Sequence, residues 1–343
     1  MIKRRPTTIS QIAQRAGVST ATVSHVINNT RFVSEAVRQR VQQAVDEVGY
    51  TPNTLARGLR AARSSTIGLI APNIANPFFA EMARGVQKAV AGLGYSVIIA
   101  SSDRCLEHEI STTRMLLARQ VDGIIYASSW DGTEIEHIQT ALAQDTAVVF
   151  FDRHTFDLPV DTIGCDNSAG GHMAGQHLVD LGHRRLACIA GFPEKTPNAS
   201  RAQGFLRVLN AVGIPTAEIP LLRADFDLEG GFQASLKLLK HPIRPTGLFA
   251  CNDLMAIGAM RAALSLGLRV PEDLSIVGFD NLEMAQYTNP PLTTIDHSAE
   301  LLGRRAAEMI LARITNPDLP QQHQTIDLKL LIRQSTSPLE KTR

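Results

Sequence analysis

The chain has 343 residues, 44% of them hydrophobic, and its 34 Lys and Arg nearly balance its 33 Asp and Glu for a net charge of +1. That length exceeds what one core usually organises, so we expect a small domain joined to a larger one. No apolar run approaches the roughly 18 residues of a membrane span, and no apolar segment follows the basic N-terminus as in a signal peptide. We therefore expect a cytoplasmic protein without a membrane partner.

The charge is concentrated at one end of the chain. Residues 1–63 carry ten Lys and Arg against three Asp and Glu, a net +7, which leaves −6 for the remainder. A nearly neutral protein with a strongly basic end is typical of one that contacts phosphates there.

The same end predicts a helix-turn-helix. Thr8 and Gln11 have the spacing of a capping box, so a first helix begins after Thr8. Apolar residues recur at helical intervals, and Gly17 supplies the positive φ that often ends a helix. Ser19 caps a second helix only two residues later, and a turn that short makes two helices cross steeply.

The second helix has two different faces. One face is apolar, with Val23, Val26 and Ile27 at helical spacing. The opposite face is small and largely polar and consists of Thr20, Ala21, Ser24 and His25. Such a face fits a major groove about 12 Å wide and offers hydroxyls and an imidazole to base edges. A third helix from Ser34 to Gly49 would complete a plain three-helix bundle equally well, and the basic charge favours DNA binding.

Residues 53–60 are too short to form a helix on their own. Nucleation is costly, and Gly58 loses about 1 kcal/mol relative to Ala. We expect a helix there only when something else holds it, and a plain linker with Leu59 packed against the core is the alternative. The composition becomes small and basic from residue 61 to Ser65, which marks a domain boundary.

Beyond Ser65, short apolar runs alternate with helical patterns, which predicts parallel sheets with helices on both faces. The runs are 67–71, 97–100, 123–126, 147–151, 162–165, 186–190, 247–251 and 274–279. We expect them to build two Rossmann-like lobes with a cleft between them.

Neither lobe carries the motif of a cofactor or a catalytic centre. GxGxxG, GxxxxGK[ST] and GxSxG are all absent from the sequence. We expect reduced, packed thiols and no metal site, because the cysteines lack metal-ligand spacing. They are Cys105, Cys165, Cys188 and Cys251. His172, His177 and His183 are expected to be surface or packing residues, and we expect no catalytic residue and no cofactor.

Polar and aromatic residues follow several strands at their carboxyl ends, where open α/β sheets bind ligands. They are Phe78, Phe79, Asp152, Arg153, Phe226, Asn252 and Asp280. Phe rings can cover the C–H faces of a sugar, while carboxylates, amides and guanidinium groups pair with its hydroxyls. Taken singly, each Asp is more often a helix cap or a loop residue.

Several motifs resemble the signature of the LacI/GalR family of bacterial transcription regulators, and the resemblance runs nearly the whole chain. They are Ile12-Ala13, Ala16-Gly17-Val18-Ser19, Thr22-Val23-Ser24-His25-Val26-Ile27-Asn28 and Tyr50-Thr51-Pro52-Asn53. Within that family, Ser24-His25-Val26-Ile27-Asn28 and Thr30-Arg31-Phe32-Val33 resemble the purine and ribose operon repressors. The resemblance implies a homodimeric repressor of palindromic double-stranded operator DNA, controlled by a small sugar effector. Ribose or a related pentose, acting as inducer, is the implied effector.

The resemblance also implies roles for particular residues. Thr20, Ala21 and His25 would contact bases, with His25 donating to guanine, and Leu59 would wedge open a base step in the minor groove. The DNA-binding candidates are Thr20, Ala21, Ser24, His25, Asn53, Leu59 and Arg60.

The larger domain resembles the ribose-binding protein and thus the periplasmic sugar-binding fold. This adds Asn76, Arg201 and His297 to the ligand-binding candidates. His297 is a departure, because that protein has a glutamine at the position, so the sugar stays open. The expected domains are a headpiece at 1–52, a hinge and linker at 53–65 and an effector domain at 66–343. Lobe 1 is expected at about 66–161 and 292–320, and lobe 2 at about 162–291 and 321–343.

Other functions are open at this point. A sugar-modifying enzyme with an appended DNA-binding head would use the same cleft, although no general base, metal cluster or phosphate loop marks the sequence. A corepressor-type regulator that responds to another sugar or to a purine would share the whole architecture. A sensor without a regulatory role fits the basic head and the hinge less well.

Overall fold

The computed structural model describes residues 8–28, 30–49, 64–127, 134–152, 158–191 and 197–339. The chain forms two compact units that divide between Ser64 and Ser65. The predicted hinge, with Asn53, Leu59 and Arg60, lies outside the described residues, as does Arg153. In the part of the chain that is described, no helix is long and apolar enough to cross a membrane.

Within its described residues the headpiece contains three helices, α1 (Ile9–Ala16), α2 (Thr20–Asn28) and α3 (Glu35–Val48). The backbone N–H of Thr8 donates to Gln11 Oε1 at 2.9 Å, and Ser19 Oγ accepts from the backbone N–H of Thr22 at 3.1 Å. Gly17 and Gly49 end α1 and α3 with φ of +66° and +60°. The predicted caps and stops of the helix-turn-helix are therefore confirmed.

One small apolar core holds the headpiece together. Each helix contributes a fully buried residue to it, namely Ile12, Val23 and Val41. Because the apolar face of α2 points into this core, the side chains of Thr20 and Ala21 lie exposed on the other side.

Strands and helices alternate through the effector domain. The strands are β1 (Thr66–Ala71), β2 (Ser96–Ser101), β3 (Gly123–Tyr126), β4 (Ala147–Phe151), β5 (Asp161–Cys165), β6 (Leu186–Gly191), β7 (Leu221–Ala224), β8 (Gly247–Ala250), β9 (Ser275–Phe279), β10 (Thr293–Asp296), β11 (His323–Ile326) and β12 (Lys329–Leu331). The helices are α4 (Pro77–Val90), α5 (Leu106–Ala118), α6 (Glu136–Ala143), α7 (Asn167–Asp180), α8 (Pro197–Ala211), α9 (Leu228–Leu239), α10 (Asp253–Ser265) and α11 (Ala299–Thr315). This alternation confirms the predicted α/β class.

The strands form two sheets, one for each lobe. The first sheet has the order β11-β5-β4-β3-β1-β2, and all its neighbouring strands are parallel. The second has the order β12-β10-β9-β8-β6-β7, and only β12 is antiparallel to its neighbour.

Three strands lie in the other lobe from the one predicted. β5 and β11 were expected in lobe 2 but pair with each other in the first sheet, and β10 was expected in lobe 1 but pairs with β9. A short apolar run defines a strand but not its partner, which explains the wrong assignment. The chain therefore crosses between the lobes after β5, between β10 and α11, and between β11 and β12.

A buried ion pair fixes β5 in lobe 1. Arg313, on α11, donates to Asp161 through Nε at 3.1 Å and Nη2 at 2.8 Å, and the Asp161 side chain is 1% exposed. The backbone N–H of Gln322 also donates to Asp161 Oδ1, at 2.8 Å. Paired donors of this kind impose geometry as well as attraction. They join α11, the start of β5 and the segment that leads into β11.

Two histidines attach the C-terminal segment to lobe 2. His177 Nε2 lies 3.0 Å from Thr336 Oγ1, and His183 Nε2–H donates to the Ser337 carbonyl at 3.1 Å. Burial lowers the pKa of both imidazoles below the ordinary value of 6.5. They are packing residues, as the sequence predicted.

We expect this burial to make the protein sensitive to mild acid. Because the folded-state pKa of both histidines is lowered, the unfolded chain binds more protons as the pH falls below about 6.5, and stability is lost there. Replacing both, His177→Gln with His183→Gln, should reduce the difference in unfolding free energy between about pH 7 and pH 5. Urea unfolding at the two pH values measures this.

His172→Gln is the matched control, since His172 lies exposed on the same helix, α7. It should leave the pH dependence as it is in the wild type. An unchanged pH dependence in the double variant would contradict the assignment to these two imidazoles.

Candidate functional site

A cleft opens between the carboxyl ends of the two sheets. Its lining includes Asn76, Phe78, Phe79 and Asp152 from lobe 1 and Arg201, Phe226, Asn252 and Asp280 from lobe 2. The structure thus brings together every ligand-binding candidate that it describes except His297. Both lobes contribute aromatic and charged groups.

The aromatic walls come from opposite sides of the cleft. Phe78 and Phe79 stand edge to face on one side, with ring centroids 5.1 Å apart. On the other side Phe226 lies against Gly191, where an added Cβ would stand only 1.8 Å from Phe226 Cζ. Glycine at the end of β6 therefore allows the Phe226 ring its position.

The carboxylate of Asp152 is oriented by residues around the end of β5. Oδ1 accepts from the backbone N–H of Cys165 at 3.0 Å, and Oδ2 accepts from Asn167 Nδ2 at 2.9 Å. A Cβ on Gly164 would lie 2.0 Å from Asp152 Oδ1, so only glycine fits there. The carboxylate is held in place before any ligand binds.

Arg201 is the most heavily bonded side chain of the cleft. Nε donates to Asn167 Oδ1 at 2.7 Å, while Nη1 donates to the Cys251 carbonyl at 2.8 Å and to Asp280 Oδ1 at 3.2 Å. The guanidinium carbon also lies 3.6 Å from the ring centroid of Phe279. With a side chain only 7% exposed, Arg201 is fixed on every side described.

Asn76 and Asn252 combine a capping role with their place in the lining. Asn76 Oδ1 accepts from the backbone N–H of Phe78 at 3.0 Å, and Asn252 Oδ1 accepts from that of Met255 at 2.9 Å. Asn252 Nδ2 also donates to the Phe226 carbonyl at 3.3 Å. Each amide thereby starts a helix and remains at the cleft surface.

His297 lies beneath the cleft instead of lining it. Its side chain is 1% exposed and stacks on Phe78, with ring centroids 4.7 Å apart. Nε2 lies 3.2 Å from Asp280 Oδ1, and Nδ1 lies 3.6 Å from Cys165 Sγ. In this structure His297 contacts the lining carboxylate Asp280 and is not itself part of the lining described here, and its role in ligand binding stays a prediction.

These contacts close into one network under the cleft, which we call the floor ring. Its members are Asp152, Cys165, Asn167, Arg201, Asp280 and His297. Burial raises the pKa of the Cys165 thiol far above its ordinary value, and the nearby Asp152 carboxylate adds to the rise. The ring combines residues of both lobes with His297, which stands on a crossing between them.

Asp253, next to Asn252, is fully buried and does not line the cleft. Its Oδ2 accepts from the backbone N–H of Leu282 at 2.8 Å, and its Oδ1 lies 2.6 Å from Thr294 Oγ1. Burial, and next the negative charge of Asp280, raise the pKa of this carboxyl well above its ordinary value. Its role is structural.

Sequence reasoning missed Arg104, a further lining residue. Its guanidinium carbon lies 5.0 Å from the Phe226 ring centroid, and Nη1 lies 3.8 Å from Asp225 Oδ1. Arg104 follows β2 and its partners follow β7, so this contact spans the two lobes. A charged residue shortly after a predicted strand was the available signal, because the same rule selected Asp152 and Asp280.

Three lining residues have an unusual backbone. Arg104, Asp152 and Asp280 have φ values of +55°, +46° and +116°. Such conformations cost of order 1–3 kcal/mol each in non-glycine residues, and they concentrate at functional sites. Asp152 and Asp280 come directly after β4 and β9, Arg104 comes three residues after β2, and all three line the cleft.

The predicted DNA-reading face of the headpiece is partly exposed. Thr20 and Ala21 are exposed, whereas Ser24 and His25 are half-buried. His25 Nδ1 lies 2.8 Å from Thr30 Oγ1. If the Thr30 hydroxyl donates to Nδ1, the imidazole carries its proton on Nε2 and can donate there to a base.

Comparison with known proteins assigns both units. Residues 8–53 match bacterial regulatory proteins of the lacI family, and residues 176–336 match a periplasmic binding protein-like domain. The chain is 37% identical to the ribose operon repressor of Escherichia coli over 318 residues, which cover 92% of this chain and 95% of that protein. The chain belongs to the LacI family.

Other members of the LacI family are similar over nearly the full length. The HTH-type transcriptional repressor PurR of Vibrio vulnificus is 36% identical over 332 residues, 97% of this chain and 99% of that protein. The lac repressor dimer bound to operator and the anti-inducer ONPF aligns with a TM-score of 0.85 at 30% identity, over 97% of this chain and 100% of that chain. A LacI family regulator from Enterococcus faecium with bound ribose aligns with 0.73 at 33% identity, over 80% and 100%.

This LacI-family protein is a DNA-binding transcriptional repressor and not an enzyme, in agreement with its relatives. The predicted recognition, fold class and regulatory function are confirmed. The roles of individual DNA- and ligand-contacting residues stay predictions.

We expect His25→Ala to weaken operator binding by about 1–3 kcal/mol and to relax discrimination at one base pair of each half-site, because a base contact carries sequence information. Binding to a panel of operators substituted at single positions measures both effects. Gln42→Ala, on an exposed position of α3, is the control and should bind like the wild type. Equal weakening on every operator and on random DNA would instead make His25 a phosphate or packing residue.

Proposed function

We propose that this repressor binds a palindromic operator as a homodimer, and that a small sugar in the cleft acts as its inducer. Ribose or a related pentose is the proposed effector class. The observation that carries the proposal is the cleft itself, where aromatic rings and oriented polar groups from both lobes face one space. The similarity to a ribose operon repressor and to a ribose-bound regulator supports the pentose class.

The chemistry of the lining suits a polyhydroxylated ring. Phe78, Phe79 and Phe226 can cover the apolar faces of a sugar, and Asp152 and Asp280 can accept from neighbouring hydroxyls. The polar groups are held by hydrogen bonds within the protein. Little side-chain entropy is then lost on binding, which favours a small ligand with few contacts of its own.

The inducing effect follows from the two-lobed arrangement. A sugar that contacts Asp152 in lobe 1 and Asp280 in lobe 2 stabilises whichever lobe arrangement brings these groups closest. A hinge segment too short to be helical alone depends on its surroundings, so a changed lobe arrangement can withdraw that support. A differential affinity of about 1.4 kcal/mol shifts the DNA-bound population tenfold.

One screen tests the effector class and the sign of the response together. Thermal shifts are recorded with pentoses, hexoses, polyols and purines, and each hit is added to the repressor on a palindromic operator. We expect a pentose to raise the melting temperature and to weaken operator binding. A ligand that strengthens operator binding would replace the inducer proposal with a corepressor, and stabilisation by a purine alone would overturn the sugar class.

We expect Asp280→Asn to remove the response to sugar while leaving operator binding intact. The amide oxygen of the substituted side chain can still accept from Arg201 and His297, so the floor ring persists, whereas a charged acceptor for a sugar hydroxyl is lost. Hydrogen bonds to charged groups contribute about 1.5–3 kcal/mol, so sugar affinity should fall roughly 10- to 100-fold. Calorimetric titration with sugar and operator binding without sugar are the two measurements.

Asp180→Asn is the matched control, because Asp180 lies exposed on α7 and accepts only from Gln176 among the bonds described for it. It should bind sugar and operator as the wild type does. A full response to sugar in Asp280→Asn, or loss of operator binding without sugar, would show that the site or its coupling is wrong.

A further inference from the structure

Three potential metal ligands meet within the floor ring. The carboxylate of Asp152, the thiol of Cys165 and the imidazole of His297 each offer an atom within 4.8 Å of the other two. Cys165 ends β5, and His297 lies between β10 and α11, so both stand at crossings between the lobes. His297 is 132 positions from Cys165 in sequence, and only the fold brings it to the other two.

The distances from Cys165 Sγ to the other two ligand atoms fit one metal ion. A tetrahedral zinc ion lies about 2.3 Å from sulfur and about 2.0–2.1 Å from nitrogen, which places the two ligand atoms about 3.6 Å apart. Cys165 Sγ and His297 Nδ1 are 3.6 Å apart. Cys165 Sγ and Asp152 Oδ2 are 3.9 Å apart, which a small rotation of the carboxylate brings to the same value.

Two of the three proposed ligands, His297 and Asp152, are already held in place by hydrogen bonds to neighbouring side chains. Asp280 Oδ1 accepts from His297 Nε2–H at 3.2 Å, so the lone pair of the neutral imidazole is on Nδ1, which faces the sulfur. Asn167 Nδ2 donates to Asp152 Oδ2 at 2.9 Å. A carboxylate that holds the second nitrogen of a histidine, and a donor that orients a ligating carboxylate, are common second partners of metal ligands.

We propose that Cys165 Sγ, His297 Nδ1 and Asp152 Oδ2 bind a divalent ion of the zinc type. Sulfur together with imidazole selects zinc, or cobalt in its place, over magnesium and calcium, which prefer oxygen ligands alone. On binding, the thiol of Cys165 loses its proton to solvent and the thiolate becomes the ligand. Without the ion, Cys165 Sγ lies within hydrogen-bonding distance of both Asp152 Oδ2 and His297 Nδ1.

The proposal goes beyond the sugar response but concerns the same cleft. Three protein ligands leave a fourth position for water, and because Asp152 also lines the cleft, the ion and a bound sugar would share this carboxylate. An ion held by Cys165 and His297 also joins two crossings between the lobes. It therefore restrains their relative movement.

Cobalt binding to the full-length protein, freed of metal by a chelator, tests the site. We expect one Co²⁺ per chain, with the near-ultraviolet absorption of a thiolate–cobalt bond and the strong visible bands of a tetrahedral ion, both removed by added Zn²⁺. Cys165→Ser and His297→Gln each remove a proposed metal ligand. Replacing a residue that only hydrogen-bonds to a ligand typically weakens metal binding about 10- to 100-fold, so each variant should lose at least that much affinity. Cys105→Ser, a control at a cysteine outside the ring, should bind as the wild type does.

Each other outcome overturns the proposal. Absence of the thiolate–cobalt absorption in the wild type does so without any variant, and so does its persistence in Cys165→Ser. Equal cobalt uptake by the wild type and His297→Gln would indicate adventitious binding at surface histidines. Circular dichroism confirms that each variant is folded, and because no sugar is present, the result is independent of the proposed effector.

Discussion

The floor ring is the interaction on which the rest of the cleft depends. Because its side chain is only 7% exposed, the Arg201 guanidinium must be surrounded by acceptors. Asn167, the Cys251 carbonyl and Asp280 supply them. Removing one partner of a buried pair costs about 3–5 kcal/mol, which is a large part of the stability of a typical domain. The walls of the cleft therefore stay in register because both lobes share this network.

Strained backbone conformations direct the two carboxylates of the floor ring. Asp152 and Asp280 leave their strands with positive φ, and Gly164 makes room for the Asp152 carboxylate. A relaxed backbone after either strand would send these side chains elsewhere. Each positive-φ conformation costs of order 1–3 kcal/mol. The hydrogen bonds of the ring offset this cost because they determine the conformation of both residues.

Much of the fold followed from the sequence, because capping residues, glycine stops and apolar runs are local signals. The helix-turn-helix and the strands were predictable for this reason, and the residue types at the carboxyl ends of strands indicated most of the cleft. The assignment of β5 and β11 to the first sheet and of β10 to the second was not predictable. A run of four or five apolar residues does not show which strand it pairs with. The depth of His297 was missed for a similar reason. Its contact with Cys165 joins residues 132 positions apart, and only the crossings of the chain create it.

The order of the strands places the floor ring close to the chain crossings between the lobes. It places the rim of the cleft, where Arg104 contacts Phe226, far from them. The crossings leave from β5, β10, β11 and β12, at one edge of the two sheets, and the ring lies beside them. Arg104 and Phe226 follow β2 and β7, at the opposite edges. A rotation of the lobes about the crossings therefore moves the ring least and the Arg104–Phe226 contact most. Even at exposed sites a cation–π contact contributes about 0.5–1 kcal/mol, which shifts a two-state population about two- to fivefold. The rim contact is thus large enough to bias the lobe arrangement, and the groups near the crossings move less than the groups at the rim.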